Sequence, residues 1–211
     1  MNIANKLTMT RIFLTVVLIT ILLFPFDMVN FTFPIYNIKY LNSAITIDLK
    51  YIIAAAIFAI ASITDFLDGF IARKYNMVTD FGKLVDAIAD KMLVNSTLII
   101  LSSQGYVSPI MTVIIIFRDT VVDTIRMLAA SKGRVVAAGK AGKIKTTFLM
   151  FGIVLTLCHN LPFEFFNLDV ANLLLVLATI FCIISGIQYY VMNKDLIFEN
   201  DKKQEKQKKK D

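Results

Sequence analysis

Six long apolar runs separated by polar or charged stretches dominate the pattern of this 211-residue chain. They fall at roughly 10–28, 50–71, 81–103, 108–130, 145–160 and 170–192. Each lies near the ~20 residues a helix needs to cross the hydrocarbon of a bilayer, the fifth being the shortest. Backbone in lipid must satisfy its own hydrogen bonds, and a helix does so within one segment. The pattern predicts an all-α integral membrane protein of six transmembrane helices. Residues 1–198 would form that domain, and 199–211 a lysine-rich cytoplasmic tail expected to be disordered. The first run has no small-residue cleavage site before Phe24-Pro25-Phe26, so it is expected to be a retained helix.

Charge falls on alternate connections. Lys6 and Arg11 lie at the start of the chain, Arg73, Lys74 and Lys83 between the second and third runs. Lys132, Arg134, Lys140 and Lys143 lie between the fourth and fifth, and the tail is basic. The opposite set of connections holds only Lys39 and Lys50. The positive-inside rule then places both termini in the cytoplasm.

Composition supports a chain solvated by lipid. Hydrophobic residues make up 57% and charged ones 18%, against about a quarter charged in a soluble domain. The net charge of +6 owes much to six lysines between positions 202 and 210, so it does not signal a nucleic-acid partner. Near an anionic membrane surface each such lysine contributes about 1 kcal/mol of attraction. Cys158 and Cys182 form no disulfide framework and no metal-ligand spacing. The single histidine, His159, is expected to be an ordinary interfacial residue.

Against this apolar background four aspartates stand out. Asp65 and Asp68 close the second run; Asp86 and Asp90 open the third. An aspartate at the centre of a spanning helix costs roughly 2.5–3.5 kcal/mol, less near the interface. Spacings of three and four put each pair on one helical face. The connection between the helices is short, so they are antiparallel neighbours with both pairs at one membrane edge. Four crowded carboxylates repel, which favours protonation or a bound cation. Oxygen-only ligands select hard ions, Mg²⁺ or Mn²⁺ before Ca²⁺. Asp80 is expected to cap the third helix. Gly69 and Ala72 keep the acidic face open, and Arg73 offers a planar cation suited to phosphate oxygens.

The run Asp65-x-x-Asp68-Gly69-x-x-Ala72-Arg73, eight residues, then Gly82-x-x-x-Asp86-x-x-x-Asp90, resembles the signature of the CDP-alcohol phosphotransferase family. Every specified position is filled, and the likeness extends over the six-helix layout. The resemblance implies a membrane enzyme that transfers a substituted phosphate from a CDP-linked donor to an alcohol and releases CMP. It implies two metal ions held by Asp65, Asp68, Asp86 and Asp90, with Asp90 also the general base. A CDP pocket would be built from Asp65, Asp68, Gly69, Ala72, Arg73 and Gly82. It further implies a homodimer.

A second basic set lies on the same side. Arg118 and Arg126 fall in the fourth run, eight residues apart, and Gly139-Lys140-Ala-Gly142-Lys143-Ile-Lys145-Thr146 opens the fifth. Arginines in a spanning helix and glycine with lysine at a helix start suit an anion. Arg118 could instead pair with Asp119. The opening 2–11, with Thr8 and Arg11, and the Gly-Lys-x-Lys-Thr run are similar to the branch of the family that joins CDP-diacylglycerol and glycerol 3-phosphate. Thr8, Arg118, Arg126, Lys143 and Lys145 would then hold the acceptor phosphate. Ala4 and Ala87 stand where proline is expected. Other acceptors (inositol phosphate, serine or a lipid alcohol) remain open, as does a cation transporter with an intramembrane carboxylate site or a metal-stapled scaffold.

Overall fold

The computed structural model describes residues 3–40, 43–74, 80–133 and 139–208. Within these, the side chains at 3–6, 27, 38–40, 43–45, 66, 68–74, 80–81, 83–84, 87 and 195–208 lie outside the described set. Six α-helices make up most of the described residues: α1 (Ile3–Leu23), α2 (Leu49–Lys74), α3 (Asp80–Ser103), α4 (Pro109–Ser131), α5 (Lys140–Leu157) and α6 (Val170–Lys208). They match the six apolar runs in order and number. One of them, over Val170–Lys194, is long and apolar enough to cross a membrane by length and composition alone, and Leu7–Leu23 is a shorter apolar stretch. Helices α2 and α3 carry the aspartates within their apolar runs, and that polar content separates them from a plain span.

The boundaries differ from expectation in three places. The chain between α1 and α2 forms a short 3₁₀ turn at Phe26–Val29 and an antiparallel hairpin, β1 (Ile35–Tyr40) with β2 (Ser43–Asp48), pairing Ile35 with Asp48 and Tyr40 with Ser43. A run of β-branched and tyrosine residues favours strands. Helix α5 begins at Lys140, five residues before the apolar run, because Gly139 takes an extended conformation at its N-cap. Helix α6 continues to Lys208, where a disordered tail is expected. Lysine, glutamate and glutamine are good helix formers.

Packing follows the chain: α1 lies on α2 and α3, α5 and α4 lie on α6, and α2 touches α5. Leu18, Leu22, Ala54, Phe58, Leu98, Ile153, Leu157 and Leu175 form the centre. Gly152 allows α5 close to α6, since a Cβ there would come within 2.9 Å of Leu175 Cδ2. Small residues at such contacts are a means of close helix approach in membranes. Several hydroxyls inside the apolar helices are satisfied by the carbonyl one turn back, as with Thr15 on Arg11, Thr97 on Leu93 and Thr179 on Leu175. Large apolar side chains also face outward along the helices, among them Phe13, Ile63, Phe117, Phe151 and Ile187, each more than half exposed. A soluble monomer rarely presents that much apolar surface.

The two ends of the bundle differ. At one end Phe24, Phe26, Phe31 and Phe33 pack edge to face, with centroids 4.9 to 5.1 Å apart in the closest pairs. His159 sits there between the rings of Tyr51 and Tyr106, at 5.3 and 5.8 Å. At the other end meet the start of α1, the end of α2, the starts of α3 and α5, and the later parts of α4 and α6. The charged residues converge here.

Candidate active site

Arg11 organises the acidic side of this end. It is completely buried, and its Nη1 lies 2.7 Å from Asp65 Oδ1 on α2 and 2.9 Å from Asp86 Oδ1 on α3. One guanidinium thus joins three helices. A buried arginine is tolerable only with such partners, because an unpaired charge there is costly. Asp65 and Asp86 are partly exposed, at 34% and 42%, so each carboxylate keeps an open side toward the cavity.

That cavity has a volume of about 450 Å³. Asp65, Asp86, Asp90 and Lys91 line it from α2 and α3. Arg118, Asp119, Asp123 and Arg126 line it from α4, Gly142, Lys143, Lys145 and Thr146 from α5, and Tyr189 from α6. One wall is therefore rich in carboxylates and the facing walls rich in cations. Three of the four predicted aspartates and four of the five predicted acceptor residues line this single space.

The cationic wall is held by internal partners. Arg118 Nη1 donates to Asp119 Oδ1 at 3.0 Å, and its Nη2 donates to Ser185 Oγ on α6 at 2.7 Å. Lys145, only 5% exposed, donates to both oxygens of Asp119 at 2.9 and 2.7 Å. Arg126 Nη2 donates to the Tyr189 hydroxyl at 2.6 Å. Lys91 pairs with Asp123, tying α3 to α4 beside the aspartates. Arg118 Nε is buried with no hydrogen-bond partner among the described residues.

The remaining predicted residues lie elsewhere. Thr8 is buried on α1, one turn before Arg11, and Gly82 is half-buried in the first turn of α3; neither lines the cavity. Asp68, Gly69, Ala72 and Arg73 belong to the last turns of α2, and their side chains lie outside the described residues, as does that of Asp80. The pairing of Arg118 with Asp119 is present, but as part of a shared network and not as an isolated pair. Arg11, Asp119, Ser185 and Tyr189 were not among the predicted site residues. A charged residue inside a spanning pattern was the available signal for Arg11 and Asp119. No spacing rule singles out Ser185 or Tyr189.

The donor set suits a hard divalent ion. Asp65, Asp86 and Asp90 offer only oxygen, in a cavity with room for ligand. Among the described residues no three acidic, histidine or cysteine side chains stand close enough to enclose an ion. The fourth predicted carboxylate, Asp68, lies outside that set. A second cavity of about 470 Å³ lies at the opposite end, lined by His159, Asn160, Glu164 and Asp169 among others, and holds none of the predicted residues.

Comparison with known proteins agrees with this geometry. Residues 1–184 match the family model described as CDP-alcohol phosphatidyltransferase. A CDP-diacylglycerol–glycerol-3-phosphate 3-phosphatidyltransferase of Bacillus subtilis (strain 168) is 38% identical over 192 residues, covering 91% of this chain and 95% of that protein. One of the same name from Rickettsia typhi is 35% identical over 190 residues, covering 90% and 95%. Among solved structures, the apo crystal structure of phosphatidylinositol phosphate synthase from Mycobacterium tuberculosis superposes with a TM-score of 0.58. It covers 93% of both chains at 16% identity, a likeness of fold. On the signature, the helical bundle and the match over most of its length, this chain belongs to the CDP-alcohol phosphatidyltransferase family.

Proposed function

We propose that the protein transfers a phosphatidyl group from CDP-diacylglycerol to glycerol 3-phosphate, giving phosphatidylglycerophosphate and CMP. The observation that carries this reading is the two-sided cavity, where carboxylates face a cationic wall of arginine and lysine. Full-length relatives named for this reaction support it. A donor diphosphate needs the first wall and an acceptor phosphate the second.

Asp65, Asp68, Asp86 and Asp90 would hold two divalent ions, Mg²⁺ or Mn²⁺. When bound, such ions neutralise the diphosphate and stabilise charge on the departing CMP oxygen. Asp65, Asp68, Gly69, Ala72, Arg73 and Gly82 would receive the CDP group. Thr8, Arg118, Arg126, Lys143 and Lys145 would hold the phosphate of the acceptor, turning its free hydroxyl toward Asp90. Asp90 then takes the hydroxyl proton as the oxygen forms its bond to phosphorus and the bond to CMP breaks. Holding both substrates in one space converts a collision into a local event.

In this reading the six helices all cross the bilayer, with both termini and the cavity at the cytoplasmic face, and the chain works as a homodimer. Outward apolar side chains on the helices support the membrane setting. A cation transporter is disfavoured, because Arg118, Arg126, Lys143 and Lys145 in the same cavity oppose cation passage.

The test is CMP release by purified protein given CDP-diacylglycerol and Mg²⁺ or Mn²⁺, comparing glycerol 3-phosphate with inositol phosphate and serine. Release with glycerol 3-phosphate alone is expected. Metal-dependent ion flux with no release for any acceptor would overturn the proposal. Within the same assay, Arg118→Ala is expected to raise the KM for glycerol 3-phosphate about 10- to 100-fold, the loss of a hydrogen bond to a charged group. The KM for the CDP lipid should move far less. Equal changes in both would mean that Arg118 does not face the acceptor.

A further inference from the structure

Among the described residues helix α6 supplies no charged group to the cavity, yet its inner face contacts both arginines of α4. Arg118 and Arg126 are eight residues apart, so their Cα atoms are separated by about 12 Å along the helix. The Tyr189 ring lies between their reaches, with guanidinium carbons 5.7 Å (Arg118) and 5.2 Å (Arg126) from its centroid. Its hydroxyl accepts from Arg126 Nη2 at 2.6 Å. One turn earlier, Ser185 accepts from Arg118 Nη2 at 2.7 Å. Between them Gly186 leaves room for the Arg118 stem, since a Cβ there would stand 3.0 Å from Arg118 Cγ.

This face is more deeply buried than the arginines it meets. Ser185 is 1% exposed and Tyr189 4%, whereas Arg126 is an exposed residue with a long, flexible side chain. A free arginine loses much rotamer freedom on fixing a ligand, and a preorganised one loses less. Tyr189 also lines the cavity itself, alongside both arginines.

We propose that Tyr189 is a positioning residue that holds Arg118 and Arg126 for the phosphate of the acceptor and so sets the preference for phosphorylated over unphosphorylated alcohols. This rests on the acceptor reading above and extends it to α6. The hydroxyl aligns Arg126, and the ring holds the two guanidinium groups as one receiving surface. Selectivity follows because an alcohol without phosphate gains nothing from that alignment.

Tyr189→Phe keeps the ring and removes only the hydroxyl. In the purified full chain it is expected to raise the KM for glycerol 3-phosphate about tenfold, in line with one lost hydrogen bond to a charged group. The KM for CDP-diacylglycerol, and any CMP release with plain glycerol, should change far less. An unchanged KM for glycerol 3-phosphate, or parallel losses with glycerol and with the CDP lipid, would overturn the role. Calorimetric binding of inorganic phosphate to the wild type and to Tyr189→Phe decides the point without turnover. Weaker phosphate binding in the variant supports it, and equal binding rejects it. Should the wild type bind phosphate yet release no CMP with glycerol 3-phosphate, the reaction assigned above fails while the phosphate-holding role of Tyr189 is still judged by that comparison.

Discussion

Asp90→Asn is expected to lower the rate of CMP release about 10²- to 10⁴-fold while binding of Mn²⁺ and the CDP lipid stays close to wild type. The magnitude is the usual contribution of a positioned general base. Asparagine keeps the size of the side chain and one carbonyl oxygen, so it can still face an ion. It cannot take up a proton from an attacking hydroxyl. Asp90 is suited to that task by place, since it lines the same cavity as the other two carboxylates and the cationic wall. Turnover measured with saturating glycerol 3-phosphate, alongside calorimetry with Mn²⁺, separates the two roles. A variant with full turnover would remove Asp90 from proton transfer, and one that no longer binds Mn²⁺ would make it chiefly a ligand.

Arg11→Ala carries the second large effect, and it is one of stability. The wild-type guanidinium is fully buried and serves Asp65 and Asp86 together. Its loss leaves two like charges facing each other across α2 and α3. Breaking a fully buried pair costs about 3–5 kcal/mol, but these carboxylates are a third or more exposed, so screening brings the expectation to about 2–3 kcal/mol. For a chain of this size that is a fall in Tm of roughly 5–10 °C. Added Mg²⁺ should recover more of the loss in the variant than it gains in the wild type, because the ion then supplies the missing positive charge. Thermal unfolding in detergent with and without Mg²⁺ gives the answer. Equal Tm and equal response to Mg²⁺ in both proteins would show that Arg11 does not hold the aspartates.

How much of this was legible in the chain depends on the kind of interaction. Asp65, Asp86 and Asp90 could be read because acid in an apolar helix is costly and their spacing puts them on facing sides. The six helices could be read as six long apolar runs, of which the one over Val170–Lys194 is long and apolar enough to span a membrane. The β1–β2 hairpin was missed because Tyr36, Ile38 and Tyr40 lie in a stretch judged only by its failure to span. Arg11 looked like one more positive charge at a cytoplasmic end, although its place just inside the first apolar run was a signal. Ser185 and Tyr189 were invisible for a different reason. A tyrosine and a serine in an apolar helix are ordinary, and their meaning arises only when α6 lies against α4. Asp119 was seen only as a neighbour of Arg118, whereas it also receives Lys145 from α5. Partnerships between distant segments carry no signature in a single sequence.

The union of Arg11 with Asp65 and Asp86 also has a consequence for the order in which the protein is made. Asp65 follows Arg11 by 54 residues. At about 5–20 residues per second the ribosome needs several seconds to deliver it, and longer to deliver Asp86. During that interval Arg11 lacks both of the carboxylates it pairs with in the folded chain, and burying it unpaired would be costly. Only when α2 and α3 are in place does burial of that arginine in α1 become favourable. A thiol-reactive probe on a cysteine substituted for Arg11 would not report this, but one at the neighbouring Thr15 would. Chains stalled before residue 65 should remain reactive there, and chains stalled well past residue 90 should be shielded.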